Sequence, residues 1–342
     1  SVEISIKAKS YRRSYMRSAP GLVILSAMRI SRRHAAIAIS ILLIFLGAGS
    51  TQSKLPSGNK NWKQELIGWR AKHAIDLQKP DGWLSLVGLE WLQPGENSFG
   101  SAPANKIHIP GGPAHLGIIV LDANKTVELR APAEGFDARF LVGGAPATPR
   151  VIPVDPDSDK NAPHFTIGTL NMYVIRRAAR FALRIKDSKS PALTGFHGLK
   201  WFPPQAKFDV TAKWTPYVPA KTISLATSLP GISYDQPVPG AAEFILDGKT
   251  YRLEPVLEDA AVPELFFVLR DATSSSTTYP ACRFLYTGFP NNGLEKPGTL
   301  ELDLNKLENP PCAYTPYATC PLPPPQNRLQ IVLPVGEQRY HE

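Results

Sequence analysis

LELDLNKLENPPCAYTPYATCPLPPPQNRL, residues 300–329, decides how the chain is read. Its first residues alternate: Leu300, Leu302 and Leu304 face one way, and Glu301, Asp303 and Asn305 the other. That is the period of a half-buried strand. Seven prolines then fall between Pro310 and Pro325. Each fixes its own φ and removes a backbone donor, so no regular element continues. A strand therefore runs into a long constrained loop. Its backbone groups need side-chain partners, a crosslink or tight packing, and such loops often carry function.

The strand pattern extends upstream. Phe208, Val210, Ala212 and Trp214 alternate through Lys207–Trp214, and Phe244–Glu254 reads as a hairpin about Asp247-Gly248. Leu265–Leu269 is apolar without alternation, as in a strand covered on both faces, and Cys282–Thr287 forms another strand. Arg270-Asp271 and Arg283 read as an ion pair at strand ends. Between Glu96 and Val151 short apolar runs (Lys106–Ile109, Gly117–Leu121, Thr126–Leu129, Arg139–Val142) are separated by turns at sandwich or barrel spacing.

Leu170–Ile175 and Arg180–Lys186 form a hairpin closed by residues 176–179. Arg180, Arg184 and Lys186 share one of its faces, a solvated surface or a place for an anionic ligand. Helical spacing appears once, in Trp62, Leu66, Trp69 and His73, and the turn Lys79-Pro80-Asp81-Gly82 ends it. The expected fold is mainly β: an antiparallel sandwich- or barrel-like architecture, a short N-terminal helix and a Pro-rich C-terminal loop. Residues 61–190 form the helix with a small sandwich-like part, and residues 191–342 a larger antiparallel part carrying the Pro/Cys loop.

The formal net charge of +9 is concentrated in residues 1–34, which hold eight Lys or Arg against Glu3 alone. The remaining 30 basic and 28 acidic residues nearly balance, which argues against a nucleic-acid partner. Within residues 1–50, an upstream extension precedes a leader that opens at Met28. Arg29, Arg32 and Arg33 are its charged region, Ala35–Leu46 its apolar run and Ala48-Gly49-Ser50 its cleavage site. About a dozen apolar residues fall short of the ~20 that span a membrane, so no stable span is expected after cleavage. Residues 51–60 are a polar linker. The expected location is periplasmic or extracellular.

The stretches PDGWLSLVGLEWLQPGENSFG, RFALRIKD, WFP, RDATSSSTTYPACRFL and the 303–329 loop resemble the domain-of-unknown-function family 1684 from about Trp69 to Tyr340. The resemblance implies an exported, β-rich bacterial protein and no particular chemistry. Two positions depart from the family pattern: Cys282 stands in place of a glycine, and Leu307-Glu308 in place of an Ala-Tyr pair.

Cys312 and Cys320 flank the turn Thr315-Pro316-Tyr317-Ala318, and in an oxidising compartment a disulfide between them is the expectation. A metal site is the rival; it lacks a Cys-x-x-Cys spacing and a nearby histidine, and no metal is predicted. Cys312 as a nucleophile would need a base such as His197. No cofactor is predicted either, because the hydrolase elbow, zincin, Walker and dinucleotide fingerprints are missing.

Asp303, Asn305, Asn309, Asn327 and Arg328 present a carboxylate, amides and a guanidinium around the loop, with Tyr314 and Trp201 as aromatic surfaces. This set could hold a small molecule, glycan or peptide; the plainer alternative is that the amides satisfy backbone groups left unpaired by proline. Non-covalent ligand binding at residues 303–328 is the expected function. The alternative is an envelope hydrolase using Asp303 with a metal or tyrosine partner.

Overall fold

The computed structural model of the chain describes residues 61–109, 111–154, 162–258 and 262–340. The leader and linker readings lie outside the described residues. In chain order the elements are α1 (Trp62–Leu77), β1 (Leu86–Trp91), β2 (Gly95–Gly100), β3 (Ile107–His108), β4 (Gly117–Leu121), β5 (Val127–Arg130), β6 (Leu141–Val142), β7 (Ala145–Pro146), β8 (Arg150–Ile152), β9 (Phe165–Ile167), β10 (Leu170–Arg177) and β11 (Arg180–Asp187). There follow β12 (Asp209–Ala226), β13 (Ser233–Leu246), β14 (Lys249–Leu253), β15 (Glu264–Leu269), β16 (Arg283–Gly288) and β17 (Gly298–Asp303).

Two sheets, ordered β1-β11-β10-β9-β6-β7 and β3-β2-β4-β5-β8, share one apolar core in which Phe99, Phe140 and Phe165 pack ring against ring. Pairing is antiparallel apart from β2 with β3. The result is the sandwich-like arrangement that the turn spacing predicts. The hairpin β10–β11 turns on Ala178, at φ 52°, two residues tighter than expected.

The face bearing Arg180, Arg184 and Lys186 is only partly solvated: Arg180 is exposed, Lys186 half-buried and Arg184 buried. Arg184 is 1% exposed and donates to the Tyr173 hydroxyl at 3.3 Å, with Trp83 and Tyr173 rings beside its guanidinium. Arg180 lies 3.9 Å over Trp91, and Lys186 reaches the same Trp83 and Tyr173 rings. Aromatic side chains take up these cations through their ring faces.

The second sheet system is built on β14-β13-β12-β17 and the pair β15-β16. Leu265, Phe267 and Leu269 enter one apolar core with Trp214, Leu300 and Leu302, while Phe266 and Val268 enter another with Phe284 and Cys282. Both faces of β15 are therefore covered, which is why its sequence does not alternate. The hairpin at Asp247-Gly248 forms as read, with φ 49° and 76°. Longer than expected is the hairpin β12–β13, whose strands carry Pro216, Pro219, Pro237 and Pro239. A register shift between Pro216 and Lys221 absorbs the disruption to its ladder.

Helix α1 presents Leu66, Trp69, Arg70, His73 and Leu77 at i, i+3, i+4, i+7 and i+11, which is one face. Only Leu66 and Leu77 are fully buried. The rest of that face is polar or aromatic and docks on the segment after β17: Arg70 donates to the carbonyls of Phe202 at 3.1 Å and Asn305 at 3.4 Å. No helix among the described residues is long and apolar enough to cross a membrane.

Candidate functional site

The amides of Asn305 and Asn327 are spent largely on the backbone. Asn305, fully buried, accepts from Gln205 N at 2.9 Å and donates to Gln205 O and to Asp303. Asp303 in turn accepts from Asn305 N and faces Lys306 at 3.8 Å. Asn327 accepts from Glu254 N and donates to the carbonyls of Glu254 and Val268. Arg328 is exposed and donates to Pro323 O. These side chains supply the partners that prolines and turns withhold, as Asx residues do.

Asn309 and Tyr314 belong to a second network centred on Glu337, whose side chain is 0% exposed. The carboxylate accepts from Asn309 N at 2.9 Å, from Asn309 Nδ2 at 2.8 Å and from the Tyr314 hydroxyl at 2.7 Å. Its backbone N–H donates to Leu307 O, and Trp201 bridges to it in antiparallel pairing. The close approach depends on Gly336 at φ 75°: a Cβ there would lie 2.3 Å from Leu307 O.

His73 of α1 sits between this carboxylate and a second one. Its Nε2 is 3.5 Å from Glu337 and its Nδ1 3.3 Å from Glu308. The ring stacks on Trp69, with centroids 5.6 Å apart, and meets the edge of Trp201 at 5.9 Å. Burial alone would lower the imidazole's pKa; the adjacent Glu337 carboxylate and the charges of Glu308 and Asp76 together raise it above the ordinary value. Glu308 is held by a two-bond bridge to Phe284, and burial, reinforced by Glu337 and Glu264 against the opposing His73, pushes its carboxyl up to about 7.

Glu308 and His73 open onto a cavity of about 400 Å³. Trp69, Lys72 and Asp76 of α1 line it on one side, with Glu264 of β15, Tyr286 of β16 and Lys306 opposite. Tyr286 is braced by stacking on Phe266, with rings 4.7 Å apart. Two strands away, burial followed by the charges of Asp303 and Glu301 raises Asp209 to about 6.

Of the residues singled out in the sequence, Trp201, Asn309 and Tyr314 are brought together behind His73, and Asp303 and Asn305 anchor the segment that delivers Glu308. Asn327 and Arg328 serve the backbone of Glu254, Val268 and Pro323 instead. His73, Glu308, Glu264, Tyr286 and Glu337 were not in that set. Two of them had a signal: His73 lies on the helical stripe, and Glu308 lies in the quoted loop where the chain departs from the pattern of the family it resembles.

The expected disulfide is not formed. Cys282, Cys312 and Cys320 are free thiols. The turn does fold Cys312 back onto Cys320, but the contact is a hydrogen bond from Cys312 N to Cys320 Sγ at 3.1 Å. The Cys320 thiol lowers the pKa of Cys312, while burial raises Cys320 and Cys282. Among the described residues no group of three or more His, Cys, Asp or Glu side chains is arranged to hold a metal ion.

A family described as "Protein of unknown function (DUF1684)" matches residues 194–338. The match takes in Trp201, Glu264, Tyr286, Glu308 and Glu337 and stops short of α1, so the half of the site holding Trp69 and His73 lies outside it. The chain is also similar to an uncharacterised protein of Haloarcula marismortui solved in solution by NMR, at 27% identity. That alignment covers 42% of this chain and 78% of the other, with a TM-score of 0.37. No curated protein matches.

Proposed function

We propose that the chain binds a small polar molecule without covalent chemistry, in the cleft between α1 and Lys306–Glu308. The carrying observation is the cavity of about 400 Å³ where aromatic walls and several charged groups converge. Ligand pockets typically run from roughly 300 to 1,000 Å³, with a few placed polar groups among apolar walls. The cleft also explains why a helix with so little apolar surface docks where it does: Trp69 and His73 form one wall. A ligand-observed NMR screen of small polar fragments against the protein and its Trp69→Ala variant tests this. Hits that weaken at least tenfold in the variant are expected; hits indifferent to Trp69 and to Glu308→Gln would place binding elsewhere.

A second reading has its own observation. A carboxyl raised to about 7, beside a histidine held by a buried carboxylate, is the arrangement of a general acid or base at neutral pH. In that reading Glu308, rather than Asp303, exchanges the proton, because Asp303 is committed to Asn305 and Lys306. Turnover of any bound fragment that disappears in Glu308→Gln while binding persists would select it.

The leader read at residues 28–50 adds a proposal about place: the cleft meets its ligand outside the cytoplasm, where the neighbouring thiols of Cys312 and Cys320 would be joined by exchange with an oxidised thiol carrier. Fractionation with mass measurement of the exported chain checks both. A cytoplasmic, fully reduced protein is the contrary result.

A further inference from the structure

The charges around the cleft are not free in equal measure. Asp76 is shared by Lys72 of α1 and, at 2.6 Å, by Lys79 just beyond the helix end, so this carboxylate is already neutralised. Lys306 faces Asp303. What remains open to a ligand is the acidic side: Glu308, whose counter-group His73 is itself shared with Glu337, and the exposed Glu264 of β15, which forms no ion pair among the described residues. Trp69 and Tyr286 add ring faces beside these carboxylates. Ring faces and carboxylates together are the surroundings that attract organic cations.

We propose, resting on the small-molecule reading above, that the cleft takes a small primary ammonium compound, whose cation takes the place of a proton at Glu308, 3.3 Å from His73. The ammonium donates to Glu308 and Glu264, while its methylenes lie along Trp69 and Tyr286. In the empty cleft Glu308 carries a proton for part of the time at neutral pH. An ammonium beside it favours the carboxylate, so the proton leaves to solvent as the ligand enters. The groups facing Glu308 are Lys72, His73 and Asp76 from α1, Glu264 from β15, Tyr286 from β16, Lys306 from its own segment and Glu337 from behind His73. Raising the pH through the neutral range empties the Glu308 proton first and should strengthen binding until the ligand amine itself deprotonates.

The test uses butane-1,4-diamine, its neutral counterpart butane-1,4-diol, and succinate, titrated into the whole protein in weakly buffered salt while ligand NMR and released protons are followed together. The diamine should bind at least tenfold more tightly than either comparator and release up to one proton per molecule near pH 7. Glu308→Gln should abolish the release and weaken binding about tenfold. Glu264→Gln, at an exposed position whose charge helps hold the Glu308 carboxyl up, should weaken binding while a smaller release persists; circular dichroism establishes that both variants fold. Equal binding of diamine and diol, or preference for succinate, overturns the ammonium assignment and leaves the cleft as a small-molecule site. Diamine binding without proton release overturns the exchange. If all three compounds leave Trp69 and Tyr286 resonances unmoved, the ammonium assignment fails; whether the cleft itself then stands is decided by the fragment screen.

Discussion

The sandwich formed by β1 to β11 and the proline-rich segment after β17 bury their residues by opposite means. The sandwich interior is a largely apolar set in which Phe99, Phe140, Leu129 and Leu183 are fully buried, with Asn97 and Arg184 as its buried polar exceptions. The proline-rich segment instead buries Asn305, Asn309, Asn327 and Glu337, and beside them the pair Arg283–Asp271 at 3.0 Å with both side chains 0% exposed. Apolar packing is indifferent to direction, so that region needs only alternation and volume. Polar burial is directional, and every group must meet its partner. The second strategy costs more sequence specificity, and it is the one that brings Glu308 to face the cavity beside His73.

Breaking the buried pair is the severest test of that contrast. Asp271 accepts from Thr273 N and Oγ1, and Arg283 donates to Asp271 and to the carbonyls of Leu333 and Val335. Asp271→Ala should cost about 3–5 kcal/mol in urea unfolding, because it leaves a buried guanidinium uncompensated. In the sandwich, Leu129→Ala should cost about 3 kcal/mol through cavity formation. A loss in Asp271→Ala no larger than that of an exposed substitution would mean the polar interior is wetter than described.

The two regions should also respond differently to pH. Glu308 titrates at about 7 in the folded protein against an ordinary 4.5, so the native state holds a proton that the unfolded chain releases. Stability therefore falls as pH rises from about 4.5 to 7. His73, raised as well, adds stability below its ordinary value that is lost as pH rises through the folded one, which is the same sign. Unfolding free energy should drop by about 2 kcal/mol between pH 5.5 and 8, and Glu308→Gln should flatten the curve. A profile that rises across this interval would contradict the burial of Glu308. The smallest effect belongs to the sandwich surface: Arg180→Ala, which removes one stacked cation at an exposed position, should cost less than about 1 kcal/mol.

Much of the β framework was legible because its signals are local. The Leu300-Leu302-Leu304 alternation, the Asp247-Gly248 turn and the unbroken Leu265–Leu269 run each report a face or a φ that neighbouring residues decide. The helical stripe through Leu66, Trp69 and His73 was legible for the same reason. Three features were not. Strands β12 and β13 carry prolines that argue against long pairing, and the register shift that accommodates them belongs to the hairpin as a whole. The cations of β11 looked solvated because Trp83, Trp91 and Tyr173 come from other strands and turns. The site itself depends on His73 meeting Glu308 and Glu337 across more than two hundred residues, a juxtaposition that tertiary folding alone produces. Within the loop, the backbone-satisfying role of the asparagines was one of the two readings the sequence offered, and the partners Gln205, Glu254 and Val268 select it for Asn305 and Asn327.

The separation between His73 and Glu337 also fixes when the cleft can come into being. A nascent chain that has been synthesised as far as β11 already contains every strand of the sandwich, but its helix has neither Glu308 nor the carboxylate that orients the imidazole. Loop closure over that distance is the slow, entropically costly kind. A ribosome stalled before Asn305 would thus hold a sandwich able to condense and a helix still lacking the carbonyl and carboxylates that receive Arg70 and His73, and the cleft would form only once the chain had passed Glu337.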